Sequence, residues 1–454
     1  MSSANTIDML KGPLARPMLM FALPLIASGL LQQSFNAVDI AVVGRFAGSH
    51  ALAAVGSNGP VIGLLINMFI GLSVGANVVI ANYIGQRNPQ GIRAAVSAAA
   101  VLALLSGLIM VTTTLAVARP ILELLSTPEE VLDQAVGYLR IFAVGMPFMI
   151  IYNFASAVLR SVGDTKRPFY SLVTAGIVNL VLNLVFVIGF DMGVHGVAWA
   201  TVVSNVVNAG IVTVLLIREK GDVHLDVRHL RPNWLQMRKI AAIGIPAGIQ
   251  STVFSISNVF ILSSINSFGA TAAAGSAAAI NYEMYCYFVI NAFGQTCVAF
   301  TSQNLGAGQY DRCRKVFHLS LIYSISVSVV LNLLITWQRT TFLYPFTDDP
   351  SVLVFAGERV ATVLLFQWIA CYYEMAGSSM RGLGYSMTPA LITIFGTCVL
   401  RLLWVGLFPH DGSFVELLAV YPVSWLLTDA IIFVAYIIIR KRLRQQYGLA
   451  PAKP

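Results

Sequence analysis

The stretch RSVGDTKRP at residues 160–168 has a counterpart in RGLGYSMTP at residues 381–389. Arginine, glycine and proline hold the same places in both, at an offset of 221 residues, and each stretch follows a long apolar run. A second pair, GQRNPQGIR at 85–93 and GAGQYDRCR at 306–314, keeps the same offset. Because chance rarely preserves one spacing across separate segments, the chain is predicted to contain two copies of one structural unit.

The amino-acid composition places these copies in a lipid bilayer. Of the 454 residues, 57% are hydrophobic and only 11% are charged, which is too apolar for a soluble protein of two domains. A membrane β-barrel would show short alternating segments, whereas this chain has continuous apolar runs long enough to cross about 30 Å of hydrocarbon as helices. The runs cover residues 17–41, 53–82, 94–118, 131–157, 168–190, 194–217, 240–264, 273–302, 316–337, 352–379, 386–408 and 417–439. We therefore predict an all-α membrane protein with twelve transmembrane helices, six in each repeat.

Lysine and arginine residues predict the orientation of the helices. They are concentrated in the N-terminal segment, in the loops that follow even-numbered helices and in the C-terminal tail, which marks these parts as cytoplasmic. Because each repeat has an even number of helices, both repeats enter from the same side, and a pseudo-twofold axis along the membrane normal should relate them. We expect an N-terminal lobe at 1–217, a cytoplasmic linker at 218–239, and a C-terminal lobe with a basic tail at 240–454. The protein is expected to be a multi-pass protein of a prokaryotic plasma (inner) membrane, with both termini cytoplasmic.

Charge and cysteine usage narrow the range of partners. The net charge of +8 follows from the cytoplasmic loops, and the basic residues are not interleaved with aromatic residues as in RNA-binding proteins, so we expect no nucleic-acid partner. The five cysteines show no disulfide or metal spacing, and the six histidines are scattered. We predict a monomer that needs no cofactor, contacts the lipid bilayer and handles small-molecule, drug-like substrates.

Four of the acidic residues inside predicted spans are candidates for a function: Asp39, Glu283, Glu374 and Asp429. A carboxylate in the middle of a bilayer costs about 2.5 to 3.5 kcal/mol on insertion scales, so each needs an aqueous cavity, a partner or a proton. The alternative is that an acid lies near a helix end, where its side chain reaches the membrane interface or pairs with a neighbouring helix. For Asp429, the functional and the structural interpretation are both open. Arg401, in the eleventh span, also needs a counter-ion. Glu283, Glu374 or Asp429 could supply it, and the acid that does so would be structural.

Asp39 shares one helical face with other polar residues of the first span, because their spacings of four, four and three residues follow the helical turn. The face consists of Ser28, Gln32, Asn36 and Asp39, and the fifth and sixth spans add Asn179, Asn183, Thr201, Asn205 and Asn208. One carboxylate with several neutral oxygens suits a hard cation such as Na⁺, and a buried carboxyl group can also carry a proton. The predicted cation site consists of Asp39, Gln32, Asn36, Asn179, Asn183 and Thr201. The alternative is that the amides only join helices by hydrogen bonds.

The second half of the chain carries a different set of polar residues. Asn258 matches Asn36 of the first half, but Ile261 stands where Asp39 would be. The acids of this half lie instead in spans rich in aromatic residues, and a carboxylate beside aromatic rings suits an organic cation. The candidate substrate contacts are Glu283, Glu374, Asn153, Tyr282 and Tyr373. The alternative is that the aromatic residues serve ordinary packing.

Pro24 can introduce a kink into the first span. It lacks the N–H group that would bond to the carbonyl of Met20, and it precedes Asp39 by fifteen residues. Pro246 occupies the equivalent place in the seventh span. Prolines in membrane helices are common and are often static, so Pro24 is a candidate hinge rather than an established one.

Several of these stretches resemble a known family, the multidrug and toxic compound extrusion (MATE) transporters. The segment 36–56, with its acidic residue and Val-Gly pair, is similar to the family's first span and the loop after it. Residues 160–168 and 381–389 resemble a loop that occurs once per repeat, and residues 303–314 resemble the end of the eighth span. The resemblance covers nearly the whole chain. It implies a V-shaped pair of six-helix lobes that export amphipathic, often cationic compounds in exchange for Na⁺ or protons.

Within the family, the chain is more similar to the DinF-like branch, which is named after a DNA-damage-inducible member and has its cation site in the N-terminal lobe. That resemblance makes Asp39 the central acid and places the bend at Pro24. The remaining ligands that it implies are Gln32, Asn179, Asn183 and Thr201. Members of the branch commonly carry Asp where this chain has Asn183, which leaves the identity and stoichiometry of the coupling ion open.

We predict a secondary active efflux transporter that exchanges Na⁺ or H⁺ for amphipathic, cationic small molecules by alternating access. One alternative is a flippase for a lipid-linked precursor, from the same superfamily. That function would need a strongly basic cavity for pyrophosphate, whereas the spans hold more acid than arginine. Another alternative is a membrane enzyme, but no spacing of a nucleophile and a base supports it.

Overall fold

The computed structural model describes residues 6–125, 127–344, 349–407 and 412–446. Within these ranges the regular secondary structure is helical, without a strand. Twelve long helices follow in chain order: α1 Ala15–Phe46, α2 Gly48–Gly85, α3 Pro89–Leu124, α4 Glu129–Ser161, α5 Lys166–Gly189, α6 Gly193–Ile217, α7 Trp234–Asn266, α8 Ala270–Gly306, α9 Tyr310–Trp337, α10 Pro350–Gly382, α11 Met387–Leu407 and α12 Phe414–Gln446. A turn of 3-10 helix, Val227–His229, lies between α6 and α7, and a short helix, Arg339–Leu343, follows α9. The predicted fold class is confirmed.

Eleven of these helices are long and apolar enough to span a membrane, counted over the described residues. The remaining helix, α8, has 37 residues and is long enough, but no stretch of it is as continuously apolar as a span in the other eleven. Its middle carries Asn281, Glu283, Asn291 and Gln295. Polar groups at membrane depth must be satisfied by other parts of the protein or by water, so α8 is expected to need more protein contacts than its neighbours.

Three of the helix starts follow from local sequence, those of α3, α10 and α12. Asn88 accepts a hydrogen bond from the N–H of Gly91, and Pro89 occupies the first turn of α3, where its missing N–H is not needed. Asp349 caps α10 in the same way through Ser351. At α12, Ser413 and Glu416 form a reciprocal capping box. Each of these caps joins residues two or three positions apart, so it does not depend on tertiary contacts.

Three helices depart from regular α geometry inside their spans. The last turn of α5, Val185–Gly189, is π-helical, α10 contains a 3-10 stretch at Leu364–Ile369, and α11 contains a π-helical stretch at Ile394–Val399. In α11, the hydroxyl of Thr397 lies 2.9 Å from that of Thr428 on α12. Irregular backbone inside a membrane helix is tolerated where protein or water satisfies it, and it is frequent at functional sites.

The chain forms two compact units. The first comprises Met1–Thr252 with Ser302–Gln309, and the second comprises Val253–Thr301 with Tyr310–Pro454. Helices α7 and α8 each contribute residues to both units. The division into lobes at the 218–239 linker stays a prediction.

In the first unit, asparagine side chains join α2 to α4. The Nδ2 group of Asn58 donates to the carbonyl of Ala135 at 3.1 Å, and that of Asn77 donates to the carbonyl of Ala157 at 3.0 Å. Both asparagines are buried. These amides serve the structural role that was the alternative for the polar residues of the cation site.

The repeated glycines Gly85 and Gly306 allow two helix ends of the first unit to cross closely. A Cβ atom at Gly85 would overlap the carbonyl oxygen of Gln303, and one at Gly306 would overlap that of Asn82. Any larger residue would therefore push the backbones of α2 and α8 apart. This crossing gives a physical reason for glycine at both positions of the repeat.

In the second unit, part of the apolar core is formed by α8, α9 and α10 together with the short helix. The buried residues of this cluster are Ala278, Ala279, Cys286, Ile335, Leu343, Ala356, Val360 and Leu364. The small residues of α8 let the larger side chains of the other helices approach its backbone. The cluster holds α8 beside α10, which places Glu283 opposite Arg359.

Candidate functional site

Asp39 is held by a chain of asparagine side chains that connects α1 to α5. The Nδ2 group of Asn183 donates to Oδ1 of Asp39 at 2.5 Å and to Oδ1 of Asn179 at 3.1 Å. Both asparagines are buried, whereas Asp39 is partly exposed. The structure therefore brings together three of the six residues predicted for the cation site.

Close packing of α1 on α5 makes this contact possible. Gly176 lies one helical turn before Asn179, and a Cβ atom at Gly176 would overlap the ring of Phe35. On α4, Tyr138 lies close enough to Asp39 to interact with its charge, and its ring stacks on that of Phe142 at 5.9 Å. Asp39 thus lies among side chains of three helices.

The charge of Asp39 has no basic partner. Among the described residues, no lysine, arginine or histidine forms an ion pair with it, so a neutral amide is its only hydrogen-bond donor. The Oδ1 atom of Asn183 is also buried without a donor. Unsatisfied buried acceptors are rare and usually mark a missing partner. Carboxylate and amide oxygens are ligands that a hard cation prefers, and a proton could neutralise Asp39 instead.

The other predicted members of the cation site are not joined to this chain. Gln32 and Asn36 are exposed on α1, and in the described part of the protein neither makes a hydrogen bond to Asp39. Thr201 donates to the carbonyl of Val197 in its own helix at 3.0 Å. Their roles stay predictions.

Pro24, the predicted hinge, lies within α1, which continues from Ala15 to Phe46. The hydroxyl of Ser28 donates to the carbonyl of Pro24 at 2.8 Å, which satisfies that backbone group locally. Such a bond bends many helices slightly. The helix is thus unbroken at Pro24, and its role as a hinge stays a prediction.

In the second unit, Glu283 forms a buried two-point ion pair with Arg359. The distances are 2.6 Å from Nε to Oε1 and 2.9 Å from Nη2 to Oε2, and Nη1 of Arg359 donates to the hydroxyl of Ser276 at 2.8 Å. Gln367 donates to the backbone carbonyl of Glu283 at 3.0 Å. A carboxylate bound in this way is neutralised and fixed in place.

Glu374 is also paired with an arginine. Its Oε1 accepts hydrogen bonds from Nη2 of Arg381 at 3.0 Å and from the hydroxyl of Ser378 at 3.4 Å. Asp429 differs, because its Oδ1 accepts the backbone N–H of Tyr373 at 2.9 Å, just after the 3-10 stretch of α10. The contact of Glu374 lies within α10, whereas that of Asp429 joins α12 to α10.

Two of the three remaining candidate substrate contacts donate to backbone carbonyls. Asn153 donates to the carbonyl of Met149 in its own helix at 2.8 Å. The hydroxyl of Tyr282 donates to the carbonyl of Phe342 at 2.5 Å, and Tyr373 is buried. Their part in substrate binding stays a prediction.

Glu283, Glu374 and Asp429 were the possible counter-ions of Arg401, and none of them pairs with it. Among the described residues, no carboxylate lies within ion-pair distance of its guanidinium, which bonds instead to Asn258 and Ser424. The partner of Glu283 is Arg359, a residue that the sequence analysis did not single out. The available signal was an arginine inside a predicted span, directly after Glu358, but its partner is 76 positions away in the chain.

Comparisons with known proteins agree with this architecture. A family model described as MatE matches residues 24–185 and again residues 246–405, which correspond to the two repeats. A probable multidrug resistance protein of Bacillus subtilis, YoeA, is 27% identical over 94% of this chain and 94% of its own length. A probable multidrug resistance protein of Thermotoga maritima, NorM, is also 27% identical, over 85% of this chain and 84% of its own length.

A solved structure shares the fold. It is an outward-facing conformation of a multidrug resistance MATE family transporter, with a TM-score of 0.90 over 98% of this chain and 100% of that chain, at 20% identity. Since the MatE model covers most of both halves of the chain, and not just one short motif, the protein belongs to the MATE family of transporters.

Proposed function

We propose that the protein is a secondary active efflux transporter that exchanges Na⁺ or H⁺ for amphipathic small molecules. The observation that carries the proposal is the carboxylate of Asp39, which has an asparagine and no basic residue as its hydrogen-bond partner in the described structure. A carboxylate with an uncompensated charge inside a membrane helix needs a mobile cation or a proton. Binding and release of that ion would bias the protein between two conformations and thereby drive alternating access.

The organic substrate is proposed from the relatives, whose names describe multidrug resistance proteins. The prediction of a cationic substrate had relied on Glu283 and Glu374. Because arginines pair with both, these acids leave no net negative charge to attract a cation. A cationic substrate would thus bind through aromatic contacts or through Asp39. The relatives' names do not favour the flippase alternative.

We further propose that the protein is a monomer in a prokaryotic inner membrane, with both termini in the cytoplasm and a closer relation to the DinF-like branch of the family. The orientation is supported by the lysines and arginines of the loops and of the C-terminal tail. Accessibility of single cysteines introduced at the two termini, labelled from outside intact cells, would test it. Labelling of either terminus in sealed cells would contradict the proposal.

The decisive experiment for the function is Asp39→Asn. The variant keeps the shape of the side chain and removes its charge, so we expect efflux of a fluorescent dye from a drug-sensitive bacterial host to fall to the level of cells without the transporter. Asp133→Asn is the matched control, because Asp133 is exposed and paired with Arg119 at the surface. Wild-type efflux by Asp39→Asn at normal expression would refute the proposal.

The coupling ion can be identified in sealed vesicles that contain the purified protein. An inward Na⁺ gradient at constant pH and a pH gradient without Na⁺ are imposed in turn, and dye movement is followed. If Asp39 binds only one of the two ions, only one gradient should drive transport, and Asp39→Asn should abolish that response. If the dye moves equally fast when neither gradient is imposed, ion-coupled exchange is contradicted.

A further inference from the structure

Arg401 is a fully buried arginine of α11 that is fixed on several sides by uncharged groups. Its Nε donates to the hydroxyl of Ser424 at 3.2 Å, and its Nη1 donates to Oδ1 of Asn258 at 3.1 Å. The guanidinium carbon lies 4.5 Å from the ring centroid of Tyr421 and 5.2 Å from that of Phe254. These contacts orient the guanidinium but supply no negative charge.

Two N–H donors of α11 remain without acceptors. Within the described residues, the buried Nη2 group of Arg401 has no hydrogen-bond acceptor, and neither has the indole Nε1 of Trp404. The two residues are three positions apart in a regular helical segment, Leu400–Leu407, so they lie on one face with Cβ atoms about 5 to 6 Å apart. Burying a hydrogen-bond donor without an acceptor costs about 1 to 3 kcal/mol of folding free energy, and more when the donor is charged.

The ion pairs of the second unit point the same way. Among the described residues, its other buried arginines, Arg359 and Arg381, have Glu283 and Glu374 as partners. Asp429 is bonded to a backbone N–H of α10 and forms no ion pair with Arg401. Among the described residues, Arg401 is therefore a buried cation with no anion in contact. A buried charge of this kind is strongly unfavourable without a counter-ion.

We propose that Arg401 and Trp404 bind the carboxylate or phosphate group of an amphipathic organic substrate. Two oriented N–H donors and one positive charge match the oxygens of such a group, and a guanidinium held in place loses little entropy on binding. Phe254 and Asn258 are partly exposed, so the aromatic ring next to the guanidinium can also contact the organic part of the substrate. The proposal rests on the proposed function, because it names the substrate that the transporter would move.

The test compares two probes that differ in one charge. Dansylglycine carries a carboxylate, and dansylglycinamide has the same aromatic body without one. Binding of each to the full-length protein in lipid nanodiscs is measured by fluorescence titration. We expect the carboxylate probe to bind at least about tenfold more tightly, which is the effect of one hydrogen bond to a charged group.

Two variants assign the preference to the site. Trp404→Phe removes the indole N–H together with the five-membered ring and keeps an aromatic side chain, so it should reduce the affinity for dansylglycine several-fold while changing that for the amide much less. Arg401→Gln should remove the preference altogether. Trp337→Phe is the control, since Trp337 is 79% exposed at the end of α9. A preference that survives both Trp404→Phe and Arg401→Gln would overturn the proposal, as would equal binding of the two probes to the wild type.

Two further arms separate this site from its alternatives. If chloride or inorganic phosphate at millimolar concentration abolishes the preference, the site belongs to a free inorganic anion and the organic substrate is excluded. Asp39→Asn should retain the preference for the carboxylate while losing ion-driven efflux. Loss of efflux by Asp39→Asn with no preference between the probes would support the proposed function and reject the anion site.

Discussion

Asp39 in the first unit and Glu283 in the second are both acids inside long helices, but their neighbours differ. Asp39 is bonded to the neutral amide of Asn183 and keeps its charge uncompensated among the described residues, whereas Glu283 is bound at both oxygens by Arg359. A carboxylate held by an amide can exchange a cation or a proton. A carboxylate bound at two points by arginine is already neutralised, so its role is to hold α8 against α10.

The same comparison extends to the basic residues. Among the described residues, Arg401 of the second unit has no acid in contact, and Asp39 of the first unit has no base in contact. We therefore assign the coupling ion to Asp39 and the acidic group of the substrate to Arg401. The following predictions test this assignment.

The largest effect on stability is expected for Glu283→Gln. It leaves the buried guanidinium of Arg359 without a counter-ion, which should lower the free energy of unfolding by about 3 to 5 kcal/mol. Asp39→Asn breaks no ion pair and should lower it by less than about 1 kcal/mol. Reversible unfolding in mixed detergent micelles measures both. Equal losses of stability for the two variants would remove the distinction between the acids.

The double variant Glu283→Gln with Arg359→Met sharpens that result. It removes the charge left behind by the first substitution, so most of the lost stability should return, with a coupling energy of up to about 3 kcal/mol. The measurement is the same unfolding experiment on the two single variants and the double variant. Additive losses would show that the pair contributes nothing as a pair.

Asn183→Leu tests the amide that holds Asp39. Leucine has a similar size but removes the hydrogen bond to Asp39 and the oxygen of Asn183 that lacks a donor. By analogy with groups that orient metal ligands, we expect the apparent affinity for the coupling ion to fall about 10- to 100-fold, while the protein remains folded. The ion concentration that gives half-maximal efflux in vesicles measures this affinity. Asn208→Leu is a suitable control, because Asn208 bonds to Ser171 and not to Asp39.

The smallest effect is expected at the surface of the first unit. Arg119 and Asp133 form an exposed ion pair, with 48% and 86% of their side chains accessible. Asp133→Ala should lower the free energy of unfolding by less than about 1 kcal/mol, and high salt should reduce the difference further. A loss as large as that for Glu283→Gln would mean that exposure does not govern the strength of ion pairs in this protein.

Much of the fold could be predicted from patterns along the chain. The twelve apolar runs became twelve long helices, and the repeated glycines coincide with a crossing of helix ends. The same kind of reasoning found Asp39, Asn179 and Asn183, because residues four apart on one helix must share a face. Helical spacing could not predict that Thr201 bonds to the carbonyl of Val197 in its own helix. Whether a threonine hydroxyl bonds to the backbone or to a ligand depends on the folded structure around it.

Sequence patterns could not predict which residues pair with the charged side chains. Periodicity places Glu283 on a face of α8, but it does not say which of several arginines the packing of α8 will bring to that face. Arg359 reaches Glu283 because the small residues Ala278, Ala279 and Cys286 let α8 pack closely on α10. Packing also decides the partners of Arg401. The side chains that it contacts on neighbouring helices are the uncharged Asn258 and Ser424.

The sequence by itself determined that the chain is an all-helical membrane protein built from two repeats, and that an acid lies on a polar face of its first helix. These properties follow from hydrophobic length and helical period, which act within one segment at a time. Only the tertiary structure decided which acids are free and which are paired. Ion pairs form between side chains that are distant in the chain, and their energies depend on contacts of a few ångströms that packing alone sets.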